Sequence, residues 1–269
     1  MQFIKIIFIL CFGLFSNAMA CCSQANPSSD DQDIASVLKE YEADGTMIIS
    51  SLDKETLYVY NHKKAEERLS PASTFKIANS IIALEEGVLK NQHEIIKWDG
   101  EKRDLDDWNK DQNMKSAFKS SCVWFYQELA KKIGKEKYLQ HFDRLNYGNR
   151  LVGEEVTTFW LAGGGDLRIS PFEQLEFLRK IYQKQLPIAA RTYDILQDIM
   201  LDESSDNYKI YAKTGAATKN WVGHGWYVGY VTTKNKVWFF VTNISINGKQ
   251  DLPKRKAMTL AVLKKKGII

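Results

Sequence analysis

Two β-rich runs separated by "LDKET" make up "TMIISSLDKETLYVYN", a pattern that predicts a hairpin over residues 46–61. From about residue 72 to residue 200 the apolar spacing becomes helical. "CVWFYQELAKKIG" and "PFEQLEFLRKIYQKQ" are its clearest examples, with Gly134 ending the first and Pro171 in the opening turn of the second. Strand character returns in "KIYAKTG" and in "GWYVGYVTTKNKVWFFVTNIS", the latter broken by the turn "TKNK". "AATKNWVGH", between those runs, reads as a loop individual to this chain and as the place where substrate preference is set. The chain closes on "LPKRKAMTLAVLKKKG", an amphipathic helix with lysines in its last turn and Gly267 behind them. Strands at both ends with helices between predict an α+β fold: one antiparallel β-sheet assembled from distant parts of the chain, flanked by helices, with an inserted helical lobe.

The N-terminal segment has a separate meaning. Lys5, the apolar run "IIFILCFGLF" and the small residues Ala18-Met19-Ala20 form a secretory signal over residues 1–20. Residues 21–33 are polar and read as a tether, leaving 34–269 as the folded domain. A soluble, exported and periplasmic protein is expected, with no integral membrane segment after signal removal, as a monomer or homodimer. Lipid anchoring at Cys21 is the alternative, disfavoured because "AMA" lacks the leucine such sites usually carry. Only Cys122 lies within the folded part, so no disulfide framework is implied. The formal charge of +4 is spread along the chain and leaves no nucleic-acid footprint.

Several chemistries lack their motifs in this chain. The chain has no Gly-x-Ser-x-Gly elbow, no His-Glu-x-x-His, no Cys-x-x-Cys pair and no Walker loop. Its four histidines are scattered without ligand spacing, so neither a metal site nor a histidine base is expected. In "PASTFKIANS", Ser73 and Lys76 stand three apart at a helix start, on one face and within mutual reach. A lysine amine is protonated at neutral pH, but burial beside Phe75, Ile77 and Ala78 would lower its pKa and let it accept a proton. Three further elements follow: Ser121 in "KSSCVWF", Tyr147-Gly148-Asn149 in a turn, and Lys213-Thr214-Gly215 on a strand. Singly, each reads better as a cap, a turn or an exposed strand.

Together and in this order, the four elements resemble the class D (oxacillinase-type) serine β-lactamases, whose motifs are Ser-x-x-Lys, Ser-x-Val, Tyr-Gly-Asn and Lys-Thr-Gly. The resemblance extends over about residues 45–267, through "IIKWDGEKRDLDDWNKDQNMKSAFKSSCVWFYQELAKKIG", "FWLAGG", "LRISPFEQLEFLRK" and "LPKR". It implies hydrolysis of β-lactam antibiotics through an acyl-enzyme on Ser73. Lys76 would be carboxylated by CO2 or bicarbonate and act as general base, in a pocket of Phe75, Val123, Trp160 and Leu161. By the same resemblance Ser121, assisted by Lys213, would pass a proton to the β-lactam nitrogen. The N–H groups of Ser73 and Ala216 would form the oxyanion hole, and Thr214, Gly215 and Arg255 would bind the substrate carboxylate. Tyr147, Gly148 and Asn149 are assigned to site architecture.

Ala162 and Gly163–Gly165 depart from the family's commoner continuation after "FWL", which predicts a looser turn carrying Trp160. Two relatives of the scaffold compete with the hydrolase: a β-lactam sensor and a D,D-peptidase, both of which acylate but deacylate poorly. A pure binding module would have to keep the whole constellation without a use for it.

Overall fold

The structure is a computed structural model describing residues 30–163 and 165–269. The signal segment, Cys21 and most of the polar tether lie outside the described residues. Where the tether ends, Asp31 caps an unanticipated helix, α1 (Gln32–Glu40), by accepting from the Ile34 N–H at 3.0 Å. The acidic run that reads as linker supplies that cap, and Ile34, Val37 and Leu38 form the helix's buried face.

The predicted hairpin is present as β1 (Gly45–Ser51) and β2 (Leu57–Tyr60), with Met47 opposite Tyr60 and Ser50 opposite Leu57. After the short α2 (His62–Glu66), a 3-10 turn over Ala72–Phe75 runs directly into α3 (Lys76–Glu85). The lobe continues with α4 (Met114–Lys119), α5 (Val123–Ile133) and α6 (Lys135–Leu145), then α7 (Pro171–Tyr182) and α8 (Ala190–Met200). Gly134 ends α5 at φ +77°, and Pro171 opens α7 behind a reciprocal Ser170–Glu173 cap. The chain returns to the sheet as β3 (Leu201–Ser204), β4 (Tyr208–Lys219), β5 (Val222–Thr233) and β6 (Val237–Ile246), and ends on α9 (Lys254–Lys265). All six strands pair antiparallel in the order β2-β1-β6-β5-β4-β3, so the two ends of the chain meet at β1 and β6.

One sequence reading is corrected. "AATKNWVGH" is not a loop: β4 and β5 pair along it, from Ala216 opposite Gly225 to Lys219 opposite Val222. The reversal takes only Asn220 and Trp221, at φ +51° and +63°, as in the two-residue turns whose twist suits hairpins. Asparagine tolerates that left-handed region readily; a following tryptophan in place of glycine hides the signal.

The sheet separates two cores. One lies under α1 and α9, where Ile34, Met258 and Val262 meet Tyr227 and Phe240. The other joins the sheet to the helical lobe and includes Phe75, Phe142, Phe159 and Trp160. Helix α3 is at the centre of this second core and is buried at every position from Lys76 to Leu84. A lysine at its first position therefore has no path for its stem to reach bulk water. Among the described residues no helix is long and apolar enough to cross a membrane.

Candidate active site

Ser73 lies in the 3-10 turn and Lys76 begins the α-helix, so the three-residue spacing brings Lys76 Nζ to 2.8 Å from Ser73 Oγ. Lys76 is fully buried, with Nζ 5.2 Å from the centre of the Tyr126 ring. Burial, and after it the charge of Lys213, hold its pKa well below the ordinary lysine value. The amine is thus available as a neutral base or nucleophile. The turn itself is braced: Thr74 Oγ1 donates to Pro71 O at 2.7 Å and accepts from Gln174 Nε2 at 2.7 Å. Neither Gln174 nor Tyr126 is among the sequence candidates. Tyr126 lies one helical turn beyond Val123 and is accessible to that reasoning, whereas Gln174 comes from a distant helix and carries no local signal.

Ser121 occupies the turn ahead of α5 at φ +54°, and its Oγ accepts a hydrogen bond from Lys213 Nζ. Lys213 is buried on β4, with Nζ 5.5 Å from the centre of the Phe118 ring, and burial followed by the charge of Arg255 pushes its pKa down to about 7. Arg255 reaches the same strand from α9, donating through Nη1 to Gly215 O and through Nε to Leu252 O at 2.6 Å. Gly225 makes room for this reach, since a Cβ there would stand 2.6 Å from Arg255 Cδ. Because β3 covers β4 only as far as Tyr211, the segment from Lys213 through half-buried Thr214 to exposed Ala216 forms an open edge. Gly215 lets that edge come against the nucleophile turn: a Cβ would lie 3.0 Å from Pro71 O and 3.2 Å from Thr74 N.

The low pKa of Lys213 makes stability depend on pH. Its ordinary value is 10.5, so between about pH 7 and 10.5 the folded state binds fewer protons than the unfolded state. Stability from this group is present above 10.5 and is lost as pH falls towards 7. Urea unfolding of Lys213→Met at several pH values across that window is expected to show a shallower rise of stability with pH than the parent chain. Parallel profiles would mean that Lys213 is not depressed.

The Tyr-Gly-Asn turn acts as a frame. Tyr147 is buried against Phe75, Phe142 and Phe177. Gly148 has φ +53°, and a Cβ there would lie 2.3 Å from Arg168 O, so the turn requires glycine on both counts. Asn149 N–H donates to Arg168 O at 2.9 Å, its Oδ1 accepts from Arg168 N at 2.9 Å, and Nδ2 donates to Asp166 O at 2.8 Å. These bonds fix one arm of the turn that carries Trp160. The predicted looseness is therefore not found at the base of this turn. Leu167 N–H closes on Phe159 O at 3.1 Å, Leu161 N–H bonds Thr158 O at 2.8 Å, and Arg168 Nη1 bonds Gly165 O at 2.6 Å.

Trp160 is fully buried, its ring 5.4 Å from that of Phe75, and its indole Nε1–H has no partner among the described residues. An unpaired buried donor is costly, which marks a place for an acceptor. Val123, at the first position of α5, and Leu161, beside Trp160, are both half-buried. Serine, two low-pKa lysines, an arginine and a strand edge together make a constellation for acyl transfer.

Comparison with known proteins agrees with that chemistry. Residues 23–264 match the family model of the penicillin-binding protein transpeptidase domain. The chain is 40% identical over 230 residues to β-lactamase OXA-48 of Klebsiella pneumoniae, covering 86% of each chain. It is 37% identical to the probable β-lactamase YbxI of Bacillus subtilis, over 85% of this chain and 83% of that one. The chain belongs to the class D β-lactamases. Its fold superposes on the crystal structure of FUS-1 (OXA-85), a class D β-lactamase from Fusobacterium nucleatum subsp. polymorphum, with a TM-score of 0.86 and 36% identity. That match covers 90% of this chain and all of the other. The α+β expectation, with one antiparallel sheet and an inserted helical lobe, is thus borne out by the topology and by this neighbour.

Proposed function

We propose that this class D enzyme hydrolyses β-lactam antibiotics through an acyl-enzyme on Ser73, with N-carboxylated Lys76 as general base, and that it confers β-lactam resistance from the periplasm. The observation that carries the base assignment is fully buried Lys76 with Nζ 2.8 Å from Ser73 Oγ, supported by the unpartnered indole donor of Trp160, whose ring packs on Phe75, the residue before Lys76. A neutral amine can take up CO2 where a protonated one cannot, and Trp160 offers a donor that no acceptor among the described residues uses. When present, the carboxyl group supplies an anionic oxygen base beside Ser73 in place of an amine.

The chain's own residues account for the other roles. Ser73 Oγ attacks the lactam carbonyl after giving up its proton on the Lys76 side. Ser73 N–H opens a helical stretch whose first N–H groups lack helical partners, and Ala216 N–H lies on the facing strand edge. Together they would hold the developing oxyanion. Ser121 hands a proton to the departing lactam nitrogen and recovers it from the Lys213 side. Thr214, Gly215 and Arg255 would receive the substrate carboxylate, Arg255 through a planar guanidinium suited to two parallel bonds.

Burst and steady-state kinetics of the mature protein with a chromogenic β-lactam, with and without bicarbonate, test this reading. Sustained turnover that rises with bicarbonate is expected. A stoichiometric burst that stops in both conditions would instead indicate a β-lactam sensor or D,D-peptidase.

A further inference from the structure

Ser70, three residues before the nucleophile, is tied to the sheet and to the Trp160 turn at once. Its carbonyl accepts from Trp226 Nε1 at 2.9 Å and from His224 Nε2 at 2.9 Å, while its hydroxyl donates to Trp160 O at 3.0 Å. His224 is half-buried on β5, in edge-to-face contact with the Trp226 ring at 5.9 Å. Burial pushes its pKa down, the hydrogen bond to Ser70 O opposes that shift, and Arg168 adds to it. A carbonyl only accepts hydrogen bonds, so the neutral tautomer has its proton on Nε2.

The chain of contacts runs His224 to Ser70 O, Ser70 Oγ to Trp160 O, and the Trp160 ring to Phe75, the residue beside Lys76. Leu69 and Ile169 exchange two backbone bonds, 3.0 and 2.9 Å, so the segment ahead of Ser73 is clamped to the far arm of the same turn. The exposed Ala162 and Gly163 place little side-chain mass at the tip of the turn, so its position depends on these anchors. The scattered histidines suggested no role from sequence, and the misread hairpin concealed that His224 points across to Ser70.

We propose that His224 is a positioning residue that holds the Trp160 turn in register with Lys76 by way of Ser70, and so supports carboxylation of Lys76. The proposal rests on the carboxylated-lysine reading above. Its part in catalysis is indirect: His224 touches neither Ser73 nor Lys76 in the contacts just described, and acts by keeping an indole donor where a carboxylated lysine would need it.

The test is titration of the purified protein with 13C-labelled bicarbonate, following the lysine carbamate signal by NMR. His224→Phe keeps an aromatic ring beside Trp226 and loses the donor; His224→Gln loses the ring and keeps a donor at a similar reach. The bicarbonate concentration at half-maximal signal is expected to rise about 3–10-fold in His224→Phe, the effect of one hydrogen bond, and to return towards the parent value in His224→Gln. Ser70→Ala should give a similar rise and the double variant little more, because both changes cut one chain. Should His224→Phe fail to fold, His224→Leu against His224→Gln supplies the same donor contrast. An unchanged midpoint in the donor-less variant, or a His224→Gln midpoint as weak as it, overturns the proposal. No carbamate signal in the parent protein would overturn the base assignment itself, and this proposal with it.

Discussion

Lys76→Ala is expected to remain folded, to lower kcat by about 10²–10⁴-fold, and to leave the acyl group on Ser73. The fold should survive because the cavity that the truncation leaves is offset by removal of the poorly solvated amine of Lys76. Its Nζ makes one side-chain hydrogen bond, to Ser73, and its charged form is opposed by complete burial and by Lys213. The chemistry should not survive, because the other nearby lysine, Lys213, is directed at Ser121. Water attacking the acyl-enzyme would then have no base within reach. Intact-mass spectrometry after mixing with a penicillin should show protein heavier by one substrate mass, persisting long after the parent chain has returned to its free mass. Added bicarbonate should not restore turnover, since the amine that would take up CO2 is gone. Parental kcat in Lys76→Ala would remove Lys76 from the role of base.

The four motifs were legible because each is local. A serine and a lysine three apart on one turn are brought together by helix geometry alone, and their 2.8 Å contact follows from it. Gly134, Pro171 and the lysines closing α9 are likewise punctuation that the chain states within a few residues. Burial of Lys76 was expected from its apolar neighbours, but its completeness depends on α3 running through the middle of the lobe core, a property of tertiary packing.

Interactions across long sequence separations were not legible. Gln174 reaches Thr74 across 100 positions, and His224 reaches Ser70 across 154, with no periodicity or motif linking either pair. The hairpin at Asn220-Trp221 is hidden for a different reason: its left-handed turn places after Asn220 a tryptophan that local propensity disfavours there, and the long pairing of β4 with β5 overrides that preference. The glycines of the Trp160 turn read as freedom from sequence, yet at the base of the turn one of them has another role. Gly165 instead permits close packing, as a Cβ there would lie 2.2 Å from Phe159 O.

Gly215→Val is expected to lower kcat by about 10²–10³-fold while leaving the sheet folded. Gly215 sits opposite Trp226 in the β4–β5 ladder, and valine is at home in a strand, so the pairing itself tolerates the change. The obstacle is on the other side. The new Cβ would come within 3.0 Å of Pro71 O and 3.1 Å of Thr74 Cγ2, and the branched methyls have still less room. Since Thr74 is held by Gln174 and its own bond to Pro71, the nucleophile turn resists and the strand edge has to move outward. Ala216 N–H moves with it, away from the point where Ser73 N–H and a lactam oxygen would meet. Oxyanion donors are effective only at hydrogen-bond distance from the developing charge, so a displacement of about 1 Å is enough for a loss of this size. Ser73 and Lys76 lie on the unmoved side of the gap. The variant should therefore still bind 13C-labelled bicarbonate as a carbamate while acylating slowly, which separates damage to the oxyanion hole from damage to the base. Loss of the carbamate signal together with activity would place the cause in the nucleophile turn rather than the strand.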